Sequence, residues 1–212
     1  MQTIDRNHWE RKEIFTFFSR FEYPFYSVTI PVDVTPVRQF ARENQVSFYH
    51  TMIWLCTKAV NRVPAFRMRV RGEEVVLLDR TDPSFTAMRR GKSLFRIITL
   101  PWEASPLAFC AHACRADAAQ DVFIKENDTD SLIYFSCTPW FDFTALTNEH
   151  ALDKDDTVPR LAWGRWYEEK GRWWVHLSVE VNHRLVDGLH IGQMKEALDA
   201  EIAALAQRPG VV

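Results

Sequence analysis

The sequence lacks an excess of positive charge, an apolar leader and any long apolar run. Its 212 residues carry 26 Lys and Arg against 28 Asp and Glu, a formal net charge of −2, and this balance does not indicate a nucleic-acid-binding surface. No apolar segment approaches the length of a membrane span, and the first residues have no secretory signal pattern. We therefore expect a cytoplasmic protein that binds neither nucleic acid nor membrane.

The four cysteines do not have the spacing of a disulfide framework. Cys110 and Cys114 flank His112, a grouping that raises the question of a metal site. On a helix the two cysteines share one face and the histidine points elsewhere, and no second pair of ligands lies nearby in sequence. We interpret both cysteines as small buried helix residues and expect no metal ion and a reducing compartment.

Internal repeats, low-complexity stretches and linkers are also missing from the sequence. The chain length suits one domain, and 47% apolar residues provide for a sizeable core. The sequence therefore predicts a single domain over residues 1–212.

Strand-like and helix-like segments alternate along the chain. Alternating β-branched runs predict strands and apolar residues three or four apart predict helices, two of them begun by Pro36 and capped by Ser47. The pattern indicates an α/β fold, an α+β two-layer sandwich with helices covering a mixed sheet. The predicted strands are 26–34, 66–70, 74–78, 84–88, 94–100, 132–137, 161–167 and 172–182. The predicted helices are 35–45, 48–63, 106–122 and 189–205, with a loop at 126–131.

The last predicted strand ends in a histidine that is followed by an Asp-Gly turn. Because side chains alternate along a strand, His183 lies at the end of an apolar row that begins at Val175. An imidazole there can act as a general base near neutral pH. The alternative is structural, since a histidine at a strand end usually serves packing and Asp187 is a natural N-cap for the next helix.

The spacing His183, Asp187, Gly188 resembles the His-x-x-x-Asp-Gly signature of acyl-CoA acyltransferases, which include chloramphenicol acetyltransferases and the cores of 2-oxo acid dehydrogenase complexes. Residues 9–15, Trp-Glu-Arg-Lys-Glu-Ile-Phe, resemble the N-terminal motif of the chloramphenicol acetyltransferases. By resemblance over nearly its whole length, the chain is identified as a member of the chloramphenicol acetyltransferase family. Further similar segments, in the family's order, are 48–49, 66–68, 82–86, 139–143 and 177–183.

The resemblance implies a large mixed sheet flanked by helices, a homotrimer, and active sites between subunits. It implies that His183 takes a proton from a hydroxyl of chloramphenicol or another hydrophobic alcohol, whose oxygen then attacks the thioester of acetyl-CoA. Asp187 would pair with Arg11 and hold the local fold that orients the histidine. The resemblance thus implies acetyl-CoA as the co-substrate and antibiotic resistance as the biological role.

The resemblance also assigns binding residues. Phe17, Phe18 and Phe95 match positions that line the family's acceptor pocket, and their alternative interpretation is ordinary core packing. Phe18 replaces a tyrosine, which implies a more apolar pocket. Arg165 and Trp166 fall in a segment that contributes to the CoA side.

Three positions depart from the family pattern. Ala145 stands where the family has a serine that donates to the tetrahedral oxyanion, and Ala162 stands where a threonine holds a water. One such donor is typically worth about 3 kcal/mol in the barrier, so reduced activity is expected unless the neighbouring Thr144 or Thr147 substitutes. Asn182 replaces the first of two histidines, and by alternation it faces away from His183.

Two alternatives therefore remain open. One is a thiol acceptor, because residues 183–188 resemble the motif of the dihydrolipoamide acyltransferase core; against it, the N-terminal motif belongs to the other branch, and no lipoyl domain is evident. The other is a non-catalytic relative that binds a small hydrophobic molecule or acyl-CoA, which the two alanines motivate.

Overall fold

The computed structural model describes residues 1–89, 91–125, 129–151 and 153–207. Part of the predicted loop, residues 126–128, lies outside the described residues. The helices are α1 (Lys12–Phe18), α2 (Thr35–Glu43), α3 (Phe48–Asn61), α4 (Pro106–Ala119) and α5 (Gly188–Ala206). The strands are β1 (Gln2–Thr3), β2 (Phe25–Asp33), β3 (Met68–Arg71), β4 (Glu74–Leu77), β5 (Asp82–Met88), β6 (Phe95–Thr99), β7 (Leu132–Thr138), β8 (Arg160–Gly164), β9 (Tyr167–Glu169) and β10 (Arg172–Asn182).

Seven of the described strands form one mixed sheet in the order β2-β10-β8-β7-β5-β6, with β9 paired to β10. The β5–β7 and β7–β8 pairs are parallel, and the other pairs are antiparallel. Strands β1, β4 and β3 form a small second sheet. The mixed sheet with flanking helices confirms the predicted α/β class.

One face of the large sheet, the inner face, is apolar and packs against the helices. On β10 it presents Val175, Leu177 and Val179, all fully buried, and the residue beside Leu177 on β8 is the equally buried Trp163. Helix α3 is buried on nearly every side, as expected of a helix that is apolar all round. This layer of side chains is the hydrophobic core.

The other face, the outer face, is polar on β10 and lies beneath a segment without regular structure. We call residues 142–151 and 153–156 the covering segment. Ser178 Oγ donates to the Leu146 carbonyl (3.0 Å) and Asn182 Nδ2 donates to the Lys154 carbonyl (2.8 Å). Because β10 is buried on both faces, its polar side chains need such partners.

A buried pair, Glu180 and His150, also attaches the covering segment to β10. Both side chains are only 2% exposed, and His150 Nε2 is in hydrogen-bonding contact with the Glu180 carboxylate. The same carboxylate accepts from the backbone N–H of Asn148 (2.8 Å), and the His150 ring stacks on Phe25 at 3.9 Å. Removing either partner would leave a buried polar group without compensation.

Several predicted boundaries differ from the structure by one or two residues, and two differ by three. The predicted strand 161–167 is two strands, since β8 ends at Gly164 and the Arg165 N–H donates to the Phe141 carbonyl instead of to the sheet (2.8 Å). The helix predicted to reach residue 122 ends at Ala119, because Gln120 is extended and its side-chain amide donates to the Ile97 carbonyl (2.8 Å). Helix α1 and strand β1 were not among the predicted elements.

Gly164 provides a test of the packing at the end of β8. An added Cβ would lie 2.8 Å from the Phe141 carbonyl oxygen, so Gly164→Ala must displace backbone and should lower the free energy of unfolding by about 1–3 kcal/mol. The matched control is Gly192→Ala on α5, where nothing lies within 4 Å and helix propensity favours alanine by up to about 1 kcal/mol. Urea unfolding measures both. A Gly164→Ala variant as stable as wild type would contradict this packing.

Candidate functional site

Arg11 joins the N-terminal part of the chain to the end of β10. Its guanidinium donates from Nε to the Arg184 carbonyl (2.8 Å), from Nη1 to Asp187 Oδ2 (2.5 Å) and from Nη2 to the His183 carbonyl (3.0 Å). The side chain is only 10% exposed. The planar guanidinium has donors in several fixed directions and so reaches two carbonyls and a carboxylate at once. A lysine ammonium, a single point charge, could not match this arrangement. The predicted pairing of Arg11 with Asp187 is therefore present.

Helix α1 holds Arg11 in place. Phe15 is buried and packs against the Trp9 ring at 5.5 Å, which fixes the helix on the core. Arg11 directly precedes the first helical residue, and Phe18 lies one turn beyond Phe15. A single short helix thus supplies both the guanidinium and an aromatic ring to the same site.

Asp187 begins helix α5 and is the predicted N-cap. Its carboxylate accepts from the Leu189 N–H (3.2 Å), while its own N–H donates to His190 Nδ1 (3.1 Å). Burial acts to raise the pKa of Asp187, but the hydrogen bond from Arg11 and the neighbouring positive charge hold that pKa below its usual value. The carboxylate is therefore ionised at neutral pH.

His183 is clamped between two aromatic rings. Phe18 stacks on it at 4.0 Å and Tyr26 lies on it at 4.4 Å between centroids, while its backbone N–H donates to the Pro24 carbonyl (2.7 Å). Its Nδ1 is buried and has no hydrogen-bond partner among the described residues, which leaves Nε2 as the ring nitrogen open to a ligand. The imidazole is thus held in one orientation with one nitrogen available.

Tyr26 was not predicted as a site residue. It lies on β2 opposite Val181 of β10, and its buried hydroxyl has no partner within the described chain. Burial raises the pKa of this hydroxyl to about 12, so it stays protonated. Local sequence carries no signal for this contact, because it depends on pairing between strands near opposite ends of the chain.

An exposed aromatic surface lies beside His183. It consists of Phe17 and Phe21, whose rings lie 5.5 Å apart, and Phe17 is 52% exposed although its ring packs edge-on against Phe18 at 5.1 Å. Phe17 is therefore a surface residue at this site and not a core residue. Contiguous exposed apolar groups of this kind mark surfaces that another molecule covers.

A cavity of about 1090 Å³ opens on the outer face of the sheet, over β5, β6 and β7. Phe95 lines it, but His183, Phe17 and Phe18 do not. Ala145 is exposed in the covering segment, and Ala162 is buried in β8. Within one chain the predicted residues thus lie in two places. The histidine group consists of Arg11, Phe17, Phe18, His183 and Asp187, and Phe95 belongs to the cavity. Other residues that line the cavity are Ser84, Thr99, Phe123, Ser136, Thr138 and Arg160.

The predicted CoA-side residues lie just after β8. Arg165 is exposed, and Trp166 is 37% exposed and is held by the Arg38 guanidinium at 4.7 Å and by the edge of Phe48 at 4.9 Å. Arg38 also lies over the Trp173 ring at 3.6 Å. Stacked aromatic rings and arginines are groups suited to heterocycles and phosphates.

The Cys110–Cys114 interpretation needs one correction. Cys110 is buried, but Cys114 is exposed, with its sulfur 3.8 Å from His50 Nδ1. His112 pairs instead with Glu103 (2.7 Å). Among the residues that the structure describes, no group of three or more His, Cys, Asp or Glu is placed to hold a metal ion. None of the helices within the same ranges is long and apolar enough to cross a membrane.

The sequence of this chain is similar to those of chloramphenicol acetyltransferases over most of its length. A family model described as chloramphenicol acetyltransferase matches residues 1–199. A chloramphenicol acetyltransferase of Bacillus pumilus is 28% identical over 200 residues, covering 92% of this chain and 90% of that protein. Chloramphenicol acetyltransferase 2 of Escherichia coli is 28% identical over 199 residues, covering 92% and 93%.

Solved structures show the same likeness. A chloramphenicol acetyltransferase structure matches with a TM-score of 0.85 at 26% identity, covering 95% of this chain and 99% of that one. A probable dihydrolipoamide acetyltransferase from Listeria monocytogenes matches with a TM-score of 0.63 at 14% identity, covering 92% and 91%. The second match shows a shared fold alone.

The lowered pKa of Asp187 predicts how stability depends on pH. A carboxyl whose pKa is lowered on folding stabilises the protein above its usual pKa, and that contribution is lost as pH falls through the lowered value. Asp187→Asn should therefore cost about 1–2 kcal/mol at pH 7. The deficit relative to wild type should shrink below about pH 4.

Urea unfolding at several pH values measures this difference. The control is Asp199→Asn, which removes an exposed pair with Lys195 at 2.5 Å and should cost no more than about 0.5 kcal/mol. A deficit of equal size for both variants at neutral pH would contradict the importance assigned to the Arg11–Asp187 pair.

Proposed function

Because the chain belongs to the chloramphenicol acetyltransferase family, we propose that it transfers the acetyl group of acetyl-CoA to a hydroxyl of chloramphenicol or a similar hydrophobic alcohol. The observation that carries this proposal is the clamped imidazole of His183, with Nε2 open to a ligand. Arg11 donates to the His183 carbonyl and to the Asp187 carboxylate, and so holds the backbone that carries the imidazole.

The proposed reaction is a direct transfer. His183 Nε2 removes the proton of the acceptor hydroxyl, and the oxygen attacks the carbonyl carbon of the thioester. The tetrahedral intermediate collapses, the carbon–sulfur bond breaks, and His183 returns the proton to the leaving thiolate. The products are the acetyl ester and CoA, and the imidazole ends as it began. In this scheme Arg11 and Asp187 are positioning residues.

The proposed catalyst lacks two hydroxyl groups. Ala145 and Ala162 cannot donate a hydrogen bond to the charge that develops on the thioester oxygen, and one donor is typically worth about 3 kcal/mol. Thr144 and Thr147 are exposed in the covering segment. We therefore propose slower turnover than an enzyme that has a hydroxyl at these positions.

We further propose that the active site forms between copies of this chain in a homotrimer. Two observations support this: His183 does not line the cavity, and the aromatic surface beside it is exposed. Docking that surface over the cavity of a neighbour would cover the apolar groups and bring His183 to Phe95. The acceptor would then lie between the histidine of one copy and the cavity of the next.

For acetyl-CoA we propose the surface around Arg165 and Trp166, to which the structure adds Arg38. Its guanidinium stacks on two tryptophans, and this leaves its edge free for a phosphate. We also propose a cytoplasmic location, where the four unpaired cysteines remain reduced.

The two alternatives receive no better support. The thiol-acceptor hypothesis depends on residues 183–188 and on the likeness to a probable dihydrolipoamide acetyltransferase. At 14% identity that likeness shows the fold alone. The non-catalytic reading depends on Ala145 and Ala162. Turnover with an alcohol, a thiol or neither separates the three.

His183→Ala tests the proposed chemistry. Wild-type protein should release CoA thiol from acetyl-CoA only when chloramphenicol or a related alcohol is present, and the variant should lose about 100- to 10,000-fold of that rate. The control is His8→Ala, which removes an exposed histidine paired with Asp5 (2.7 Å). Release that needs a thiol acceptor would support the thiol-acceptor hypothesis. No release from folded protein would support the non-catalytic hypothesis.

Mixing two inactive variants tests the shared site. His183→Ala lacks the base, and Ile97→Trp fills the cavity that Ile97 lines. If each site combines two chains, equal mixtures reassembled from unfolded chains should regain about a quarter of the wild-type rate, because one in four interfaces pairs an intact histidine with an intact cavity. Mixtures as inactive as the separate variants would indicate that one chain supplies both parts.

A further inference from the structure

Helix α5 begins with a capping box whose second member is a histidine. Asp187 is the N-cap, and its carboxylate accepts from the Leu189 N–H at 3.2 Å. His190 reaches back, and its Nδ1 accepts from the Asp187 N–H at 3.1 Å. Capping boxes usually have Glu or Gln in this place. Histidine differs because its ring gains a proton near neutral pH, and Nδ1 then donates instead of accepting.

The Nδ1 atom of His190 lies between a donor and an acceptor. The Asp187 N–H points at it, and Asp187 Oδ1 lies 3.0 Å away. A neutral imidazole with its lone pair at Nδ1 satisfies the N–H. A protonated imidazole satisfies the carboxylate oxygen instead and leaves the N–H without this acceptor. The proton on one nitrogen therefore decides which of the two groups is bonded.

The surroundings of His190 favour the neutral ring. Its side chain is only 21% exposed, and burial acts to hold its pKa below the usual value. Two charged groups act on it: Asp187 favours the imidazolium, and Arg11, from the segment before α1, opposes it. Tyr26 of β2 is affected by the same two charges and stays protonated. The ring is therefore in the state that accepts from the Asp187 N–H at neutral pH.

The Asp187 carboxylate connects His190 to the proposed base. Its Oδ2 accepts from Arg11 Nη1 at 2.5 Å, and the same guanidinium donates to the His183 carbonyl at 3.0 Å. A protonated His190 would compete with Arg11 for this carboxylate and would leave the N–H at the start of α5 unbonded. Both changes act on the backbone that carries His183.

This inference rests on the proposed function. We propose that His190 is a positioning residue, whose neutral ring keeps the Asp187 carboxylate bonded to Arg11 and so holds His183 in place for proton transfer. The reaction then needs two unprotonated histidines, the base and the residue that positions it. The rate should therefore fall more steeply in acid than one titrating histidine explains.

Two substitutions at position 190 test this role. His190→Gln keeps an acceptor for the Asp187 N–H but does not titrate, and His190→Ala removes the acceptor. With acetyl-CoA and chloramphenicol at pH 8, His190→Ala should lower kcat by about 5- to 100-fold and change KM by less than about 2-fold. His190→Gln should restore most of this loss. The matched control is His112→Gln, which changes a partly exposed histidine paired with Glu103 and should leave kcat unchanged.

The pH profile separates positioning by a titrating ring from simple packing. Between pH 8 and pH 5 the rate of wild type should fall by at least about 3-fold more than that of His190→Gln, because only wild type has a second histidine to protonate. His112→Gln should follow wild type. Coincident profiles of wild type and His190→Gln, or an unchanged kcat in His190→Ala, would overturn the inference while leaving the acetyl transfer intact.

NMR of protein labelled at histidine and arginine nitrogens gives a readout that needs no turnover. The His190 signals, identified by their absence in His190→Gln, should show an unprotonated Nδ1 at pH 8. As pH falls, the Arg11 Nε signal should shift with the same midpoint as His190. Both results would support the link from His190 to Arg11 even in a protein that transfers no acetyl group. A protonated Nδ1 at pH 8, or an Arg11 signal that does not follow His190, would overturn it.

Discussion

The Arg11 guanidinium is the contact on which the histidine group depends. It satisfies two backbone carbonyls at the end of β10 and the carboxylate that starts α5, all from a helix near the N-terminus. Because the guanidinium is almost removed from water, each of its acceptors matters more than an ion pair on the surface would. One side chain therefore ties the backbone at His183 to the start of α5, beside the Phe18 and Tyr26 rings that hold the imidazole.

The two faces of the large sheet divide the remaining tasks. The inner face of β10 buries valines and leucines against the helices, while its outer face holds the covering segment through Ser178, Glu180 and Asn182. The covering segment closes the part of the sheet near β2 and leaves the part near β6 open as the cavity. The side chains of β10 thus alternate between two roles. Those on the inner face form the core, and those on the outer face hold the covering segment that borders the cavity.

Local patterns predicted most of the regular elements, and the resemblance predicted the family, which the family match confirms. Ser47 caps α3 as expected, and β10 ends at Asn182 as predicted. The sheet order, the covering segment and the proximity of Tyr26 to His183 were out of reach, because they depend on pairing between distant segments. The break at Gly164 was missed for the same reason, since the backbone that packs on it lies some twenty residues earlier. The single domain and the assigned site residues stay predictions.

The pairing of β2 with β10 also affects how the protein is made. Ser27 and Ser178, which share a hydrogen bond, are 151 residues apart, so synthesis of the intervening chain takes roughly 8 to 30 s at ordinary rates. During that time β2 has no partner, and contacts of such long sequence separation form slowly even afterwards. A chain released early would contain the strands of the cavity but not its histidine. Incomplete products of translation therefore lack the proposed base, and only a chain synthesised through β10 contains it.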